Sequence, residues 1–302
     1  MLSLTFMIVI ILVLVLSLTV SGFVSTPSKI HCKKWDTYHC KKWDTNTRYG
    51  NSICKANSIK LFNNRNSIVD VNNDEDPEPL FSPRRLSYLA LWLSLVSYAF
   101  TIAPGGSEAA TAIDNQMIQT IIQTPSDGTV SPVFTALFNS LGIIPAIYAS
   151  ILLPGANDKQ KVPGLLFVLA SFALGFFGVG PYLGLRRINV DVTDSNKGRG
   201  SFIFENKLTA LGSLLFGIYL VYFAFTAPFE GDRWMSYFEL FQNQKLAHVS
   251  TIDFTILSIA MSEPMKEDMD RREWTGPSAT AFCAVPVFGP VLYLLLRPSL
   301  RK

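Results

Sequence analysis

Charge is scarce in this chain: 16% of its 302 residues are Asp, Glu, Lys or Arg, against roughly 25% in an ordinary soluble domain. Hydrophobic residues make up 49%, and mean hydropathy is +0.28. Neither a water-soluble globule nor a disordered chain fits that balance. The net charge of +3 is small and scattered, which excludes nucleic acid as a partner. Cysteine is sparse too, and three of the four residues (Cys32, Cys40, Cys54) fall near the N-terminus. Only Cys283 remains in the body of the chain, so no disulfide is expected there. A nucleophile elbow, a zinc-protease helix, a phosphate loop and a paired-cysteine motif are all missing. The sequence therefore offers no recognisable catalytic set, and non-enzymatic function is the expectation.

What is present begins with an address. Residues 5–20 form one apolar run, followed by Ser21, Gly22 and Phe23. The small-residue pair reads as a signal-peptidase site, with residues 1–22 as a signal peptide; a first membrane anchor is the alternative. Residues 23–73 are rich in Lys, Arg, Ser, Thr and Asn and poor in acids, which is transit-peptide composition. His31-Cys-Lys-Lys-Trp-Asp-Thr37 recurs as His39-Cys-Lys-Lys-Trp-Asp-Thr45. Two His and two Cys could ligate zinc, but the spacing matches no usual structural site, so a duplicated stretch in a removable leader is expected. Asp74-Glu-Asp-Pro-Glu-Pro79 then reverses the charge sign, and residues 74–85 read as a polar N-terminal arm of the mature chain. Signal peptide, Phe23 and basic segment, in that order, resemble the bipartite presequence of algae with red-lineage complex plastids.

Residues 86–302 read as an all-α, polytopic membrane bundle of about six transmembrane helices. Six apolar segments approach bilayer length: Leu86–Ala103, Val133–Leu153, Gly164–Leu185, Leu208–Ala227, Leu246–Ala260 and Ser278–Leu296. Prolines bound them where helices start or stop. With six crossings, the basic residues from Arg84 onward divide almost evenly between the two sides. Orientation then rests on the first hairpin, which favours both termini on the stroma. The second and third spans echo the fifth and sixth: Asn139, Pro163 and Gly180-Pro181-Tyr182 against Asp253, Pro277 and Gly289-Pro290 with Tyr293. This suggests two three-helix halves in inverted orientation, an arrangement common in secondary transporters.

Small residues mark helix-packing positions: Ser171, Gly175, Gly178, Gly180 and Gly184 in the third span and Gly289 in the sixth. The spacing of four in Ser171/Gly175 and Gly180/Gly184 makes a groove for another helix. Packing alone accounts for it, although a pigment or lipid tail would also fit. Three polar side chains lie inside spans, Asn139, His248 and Asp253. A buried Asp in a membrane is expensive and normally has a partner. His248 and Asp253 are five residues apart, about 140° around a helix, so they do not form a simple pair. Lys266–Glu273 carries correctly ordered i,i+4 pairs, Glu267/Arg271 and Asp268/Arg272, and reads as a solvated helical extension rather than a metal site.

Several stretches taken together resemble an uncharacterised integral membrane family shared by cyanobacteria and plastids. They are Phe134–Pro145, Phe167–Tyr182, His248–Phe254, Asp268–Arg272 and Phe288–Pro298. The resemblance implies a photosynthetic membrane, the thylakoid, and brings no activity with it. A fainter likeness is to the neoxanthin-synthesis membrane proteins of plants, from which no catalytic residue carries over. Three functions follow as expectations. The first is support for assembly or stability of a photosynthetic membrane complex, with its subunits and the bilayer as partners. The others are a carrier of a small solute or ion using Asp253 and Asn139, and a membrane-embedded enzyme of carotenoid or isoprenoid metabolism using His248 and Asp253.

Overall fold

The computed structural model describes residues 82–156, 162–198 and 200–301. The two leader segments, with His31, Cys32, His39 and Cys40, lie outside them. Among the described residues every regular element is helical, so the all-α class holds. Two of the described helical stretches are long and apolar enough to cross a membrane, Pro132–Gly155 and Lys207–Thr226.

Ser82 caps α1 (Pro83–Thr101), and Pro83 occupies the first position, where its missing N–H costs little. A short amphipathic helix, α2 (Glu108–Gln123), leads to α3 (Pro132–Leu152), which runs on through the 3-10 turn Leu153–Gly155. α3 is the central helix; Ile144, Ile147, Tyr148 and Ile151 on it are buried in the main core with Val179, Tyr182 and Leu257.

The apolar stretch expected as a third span is two helices, α4 (Gly164–Leu174) and α5 (Phe176–Leu185), folded back on each other. In one continuous helix Gly164 and Tyr182 would stand about 27 Å apart. Instead a side chain at Gly164 would meet the Tyr182 hydroxyl at 2.6 Å, and the Phe167 and Tyr182 rings stack at 6.0 Å. Gly175 makes the reversal possible, with φ 57° and ψ −130°, a conformation essentially reserved for glycine. α5 then descends along α1. Arg84 donates to the Leu183 and Arg186 carbonyls at 2.9 and 2.6 Å, and Trp92 Nε1 donates to the Phe177 carbonyl at 3.0 Å.

The second half repeats this order. After the single turn α6 (Ser201–Phe204) come α7 (Lys207–Thr226), a short amphipathic helix α8 (Arg233–Asn243), and α9 (Lys245–Ala260), which leads almost directly into α10 (Ser262–Arg271). The stretch expected as a sixth span is again a hairpin, α11 (Ala279–Cys283) and α12 (Phe288–Leu296). The Phe282 and Tyr293 rings are 5.6 Å apart, and Gly289 lies against the Phe282 carbonyl. Pro286 and Val287 form its tip: Val287 adopts φ 65° and ψ −61° while Phe288 N–H donates to the Pro286 carbonyl at 2.7 Å, a γ-turn. α12 descends along α7 as α5 does along α1, since Lys207 donates to the Leu295 carbonyl and Gly217 faces Phe288.

Both hairpins return to the same end of the bundle. Arg186, just after α5, and Arg297, just after α12, both pair with acids of α10. Each half therefore makes two passes and one hairpin, and the halves run in the same direction. The inverted arrangement expected from the sequence depended on three full passes per half, and the breaks at Gly175 and Val287 remove the third. The halves also interlock at the opposite end: Ser131 at the start of α3 donates to the Arg233 carbonyl at 3.0 Å, and Leu246 N–H at the start of α9 donates to Asp114 of α2 at 3.2 Å.

Candidate functional site: a cavity at the tip of the first hairpin

Breaking a helix in an apolar interior frees backbone N–H groups that need acceptors. At the α4/α5 break, Gly178 and Val179 N–H reach the Gly175 carbonyl at 3.1 and 3.2 Å. Phe176 N–H donates instead to Asp253 Oδ1 at 2.9 Å, across 77 residues of sequence. Asp253 is only 4% exposed. Its other oxygen lies so close to Gly175 that a Cβ there would stand 1.8 Å from it. Glycine is thus required at position 175 twice over, by its backbone angles and by the carboxylate pressed against it.

Beside this contact is a cavity of about 460 Å³, lined by α2, α3, the hairpin tip and α9. Apolar side chains form most of its wall, among them Ile118, Phe138, Leu141, Phe177, Leu246 and Val249. Polar groups are few: Asn139, Ser171, Ser250 and Asp253. Asn139 Nδ2 donates to the Thr135 carbonyl at 2.8 Å, and Ser171 Oγ to that of Val168 at 2.6 Å. Asp253 Oδ2, Asn139 Oδ1 and Ser250 Oγ make no hydrogen bond within the protein. Asn139 and Asp253, singled out in the sequence, are thus brought to one site, and Ser250, one turn before Asp253, joins them.

His248 stands elsewhere. Its Nδ1 donates to the Phe241 carbonyl at 2.7 Å, which makes Nε2 the acceptor for the Tyr98 hydroxyl, also at 2.7 Å. Its ring stacks between Phe241 and Tyr98. This histidine ties α9 to α8 and α1 and does not line the cavity. Of the small residues, Gly180 and Gly184 face Trp92 and Leu89 of α1, Gly178 faces the Ala170–Ser171 backbone within the hairpin, and Gly289 plays that part in the second hairpin.

The charge run at 266–273 is not a solvated extension. Glu263, Glu267, Asp268, Arg271 and Arg272 are all buried, together with Arg186 and Arg297. Both i,i+4 pairs form, Arg271 with Glu267 and Arg272 with Asp268 at 3.0 Å. Distant arginines cover them: Arg186 reaches Glu263 at 3.0 Å and also pairs with Glu267, and Arg297 reaches Asp268 at 2.8 Å. Burial alone would raise the Glu267 and Asp268 carboxyls. The surrounding arginines overcome it and hold both below the ordinary carboxylate range. Every acid in this cluster is committed to an arginine, and among the described residues no group of three or more His, Cys, Asp or Glu is arranged to hold a metal ion. The cluster clasps the two hairpins to α10. Helical charge order was readable in the sequence, whereas the partners 29 to 81 residues away were not.

No protein-family model, curated protein or solved structure matches this chain.

Proposed function

We propose that this is a multi-pass integral membrane protein of a plastid membrane, the thylakoid by its resemblance, which binds and carries a small molecule inside its helix bundle. In this reading α1, α3, α7 and α9 cross the bilayer, and the two hairpins enter it from one face. α7 supports the membrane part: it is apolar along nearly its whole length, yet little of it is buried, and Leu215, Phe216, Tyr222 and Phe225 face outward. A continuous apolar face of that kind calls for lipid. Charge supports it too. Among the described residues, eleven Lys and Arg lie at the hairpin end and only Arg233 and Lys245 at the other. The near-even division expected for six crossings becomes a strong bias with four, and the positive-inside rule puts the hairpin end in the stroma.

The observation that carries the ligand-binding reading is the cavity itself, which Asn139 and Asp253 both line beside a broken helix. Polar atoms that open into a mostly apolar cavity are places for a ligand to bond, and carriers build their sites at such helix breaks. A purely supporting role in complex assembly draws on composition alone, since lipid accounts for the outer face of α7. An acid–base enzyme using His248 with Asp253 lacks the geometry, because His248 faces away with both nitrogens engaged.

Native mass spectrometry of the protein released gently from its own membranes tests this. The wild-type chain should carry a co-purifying small-molecule mass that Asn139→Ala loses while remaining folded. A folded wild-type protein with no such mass, or an adduct unchanged in Asn139→Ala, rejects the reading.

A further inference from the structure

We infer that the cavity takes its ligand sideways from the lipid phase, and that the ligand is an amphiphile with an apolar body and a hydrogen-bond-donating head, a hydroxyl or an amine. This rests on the ligand-binding reading above and narrows it to a chemical class and a route.

The route follows from the rim. Gly142 on α3 and Phe172 and Leu174 on α4 all line the cavity. All three are also exposed on the outer surface of the bundle, Phe172 by 43% and Leu174 by 56%. A side chain at Gly142 would meet nothing within 4 Å. The opening thus lies between α3 and α4 on an apolar flank, well away from the charged end where Arg186 and Arg297 are anchored. A solute from water would have to cross apolar surface to reach it, and a molecule already in the bilayer would not.

The chemistry follows from what the inner end offers. Its polar atoms without a partner in the chain are Asp253 Oδ2, Asn139 Oδ1 and Ser250 Oγ; the amide oxygen only accepts, and so does the carboxylate in its ionised form. No Lys, Arg or His lines the cavity, so the Asp253 carboxyl has no cation there to satisfy it. A ligand supplying an O–H or N–H would fill that need; an ester, ether or plain hydrocarbon would not. The walls are otherwise apolar, and a volume of about 460 Å³ suits a small ligand or a substantial part of a chain.

The test uses the full mature chain in lipid nanodiscs with three photoreactive probes of equal length: a diazirine-bearing hexadecanol, the matching hexadecylamine, and the matching hexadecyl methyl ether. Cross-linked peptides are mapped by mass spectrometry. The alcohol and the amine should mark the cavity wall, at Phe138–Gly142 and Phe172–Leu174, at least about tenfold more than the ether does, as expected for a charge-assisted hydrogen bond. Gly142→Trp, which plugs the opening without touching Asp253, should abolish that labelling and leave the melting temperature in place. Equal labelling by the ether would overturn the donor-head assignment, and labelling undiminished in Gly142→Trp would overturn the lateral route. If the cavity wall stays unlabelled while a co-purified mass sensitive to Asn139→Ala persists, the ligand class is wrong and the internal site stands. If both signals are absent, both proposals fail.

Discussion

Gly175 and Asp253 are coupled through space although they lie 78 positions apart in the chain. Any L side chain at 175 must adopt a strained backbone, a cost of about 1–3 kcal/mol, and must also push against the Asp253 carboxylate. Gly175→Ala should therefore lower the melting temperature strongly in detergent. The double variant Gly175→Ala/Asp253→Ala should be less damaged than the sum of the two single changes, because shortening Asp253 makes room for the new methyl. Strict additivity in that cycle would show that the two do not touch. Asp268 is the other decisive residue. It is fully buried and accepts from Arg272, Arg297 and Tyr293. Asp268→Asn should cost about 3–5 kcal/mol because it leaves buried arginine charge uncompensated. Lys197→Ala, which removes ion pairs to the exposed Asp194 and to Glu205 while Arg272 still holds Glu205, should cost about 1 kcal/mol or less.

Among the elements, the hairpins separate what hydropathy can read from what it cannot. Gly164–Leu185 is long enough to cross a bilayer, and its composition is the same whether it runs straight or folds back after eleven residues. The difference lies in the backbone angles at Gly175 and in an acceptor supplied from α9, neither of which a hydropathy window senses. Pro286 in the middle of the sixth stretch was the more legible sign, since it lacks the N–H that a continuous helix would use. The second and fourth stretches form α3 and α7 within a few residues of the expected bounds, although α3 carries Pro145 in its interior, so an internal proline alone does not mark a break. Burial of the α10 acids was illegible for a related reason: three of the arginines that compensate them, Arg84, Arg186 and Arg297, come from other elements. Cysteine accessibility in sealed vesicles tests the hairpin directly. In a chain stripped of native cysteines, Val162→Cys and Ile188→Cys should react with an impermeant maleimide from the same side, and Glu230→Cys from the opposite side. Opposite sides for 162 and 188 would restore a continuous third span.

For the whole molecule, acid is the sensitive direction. Glu267 and Asp268 are both held below the ordinary carboxylate range in the folded chain by their arginines. Their contribution to stability is complete above the unfolded carboxylate value, near about pH 4, and is lost as pH falls through the lower folded values. The melting temperature in detergent should therefore change little from pH 7 to 5 and drop steeply below about 4. Asp268→Asn should flatten that drop. A steep loss between pH 7 and 5 would mean that other groups govern the acid limb. At the same scale, the chain should remain with the membrane pellet after alkaline carbonate washing, and recovery in the supernatant would contradict the lipid-facing reading of α7.

Each half enters and leaves the bundle at one end, so in the four-crossing reading the two halves share one topology. In that reading, a unit of two passes and a hairpin presents its basic loops to one compartment. Joining two such units requires no reversal of their topogenic signals, whereas oppositely directed halves would need one. Each half carries its own basic residues at the hairpin end: Arg84, Arg85, Arg186 and Arg187 in the first, and Lys207, Lys266, Arg271, Arg272 and Arg297 in the second.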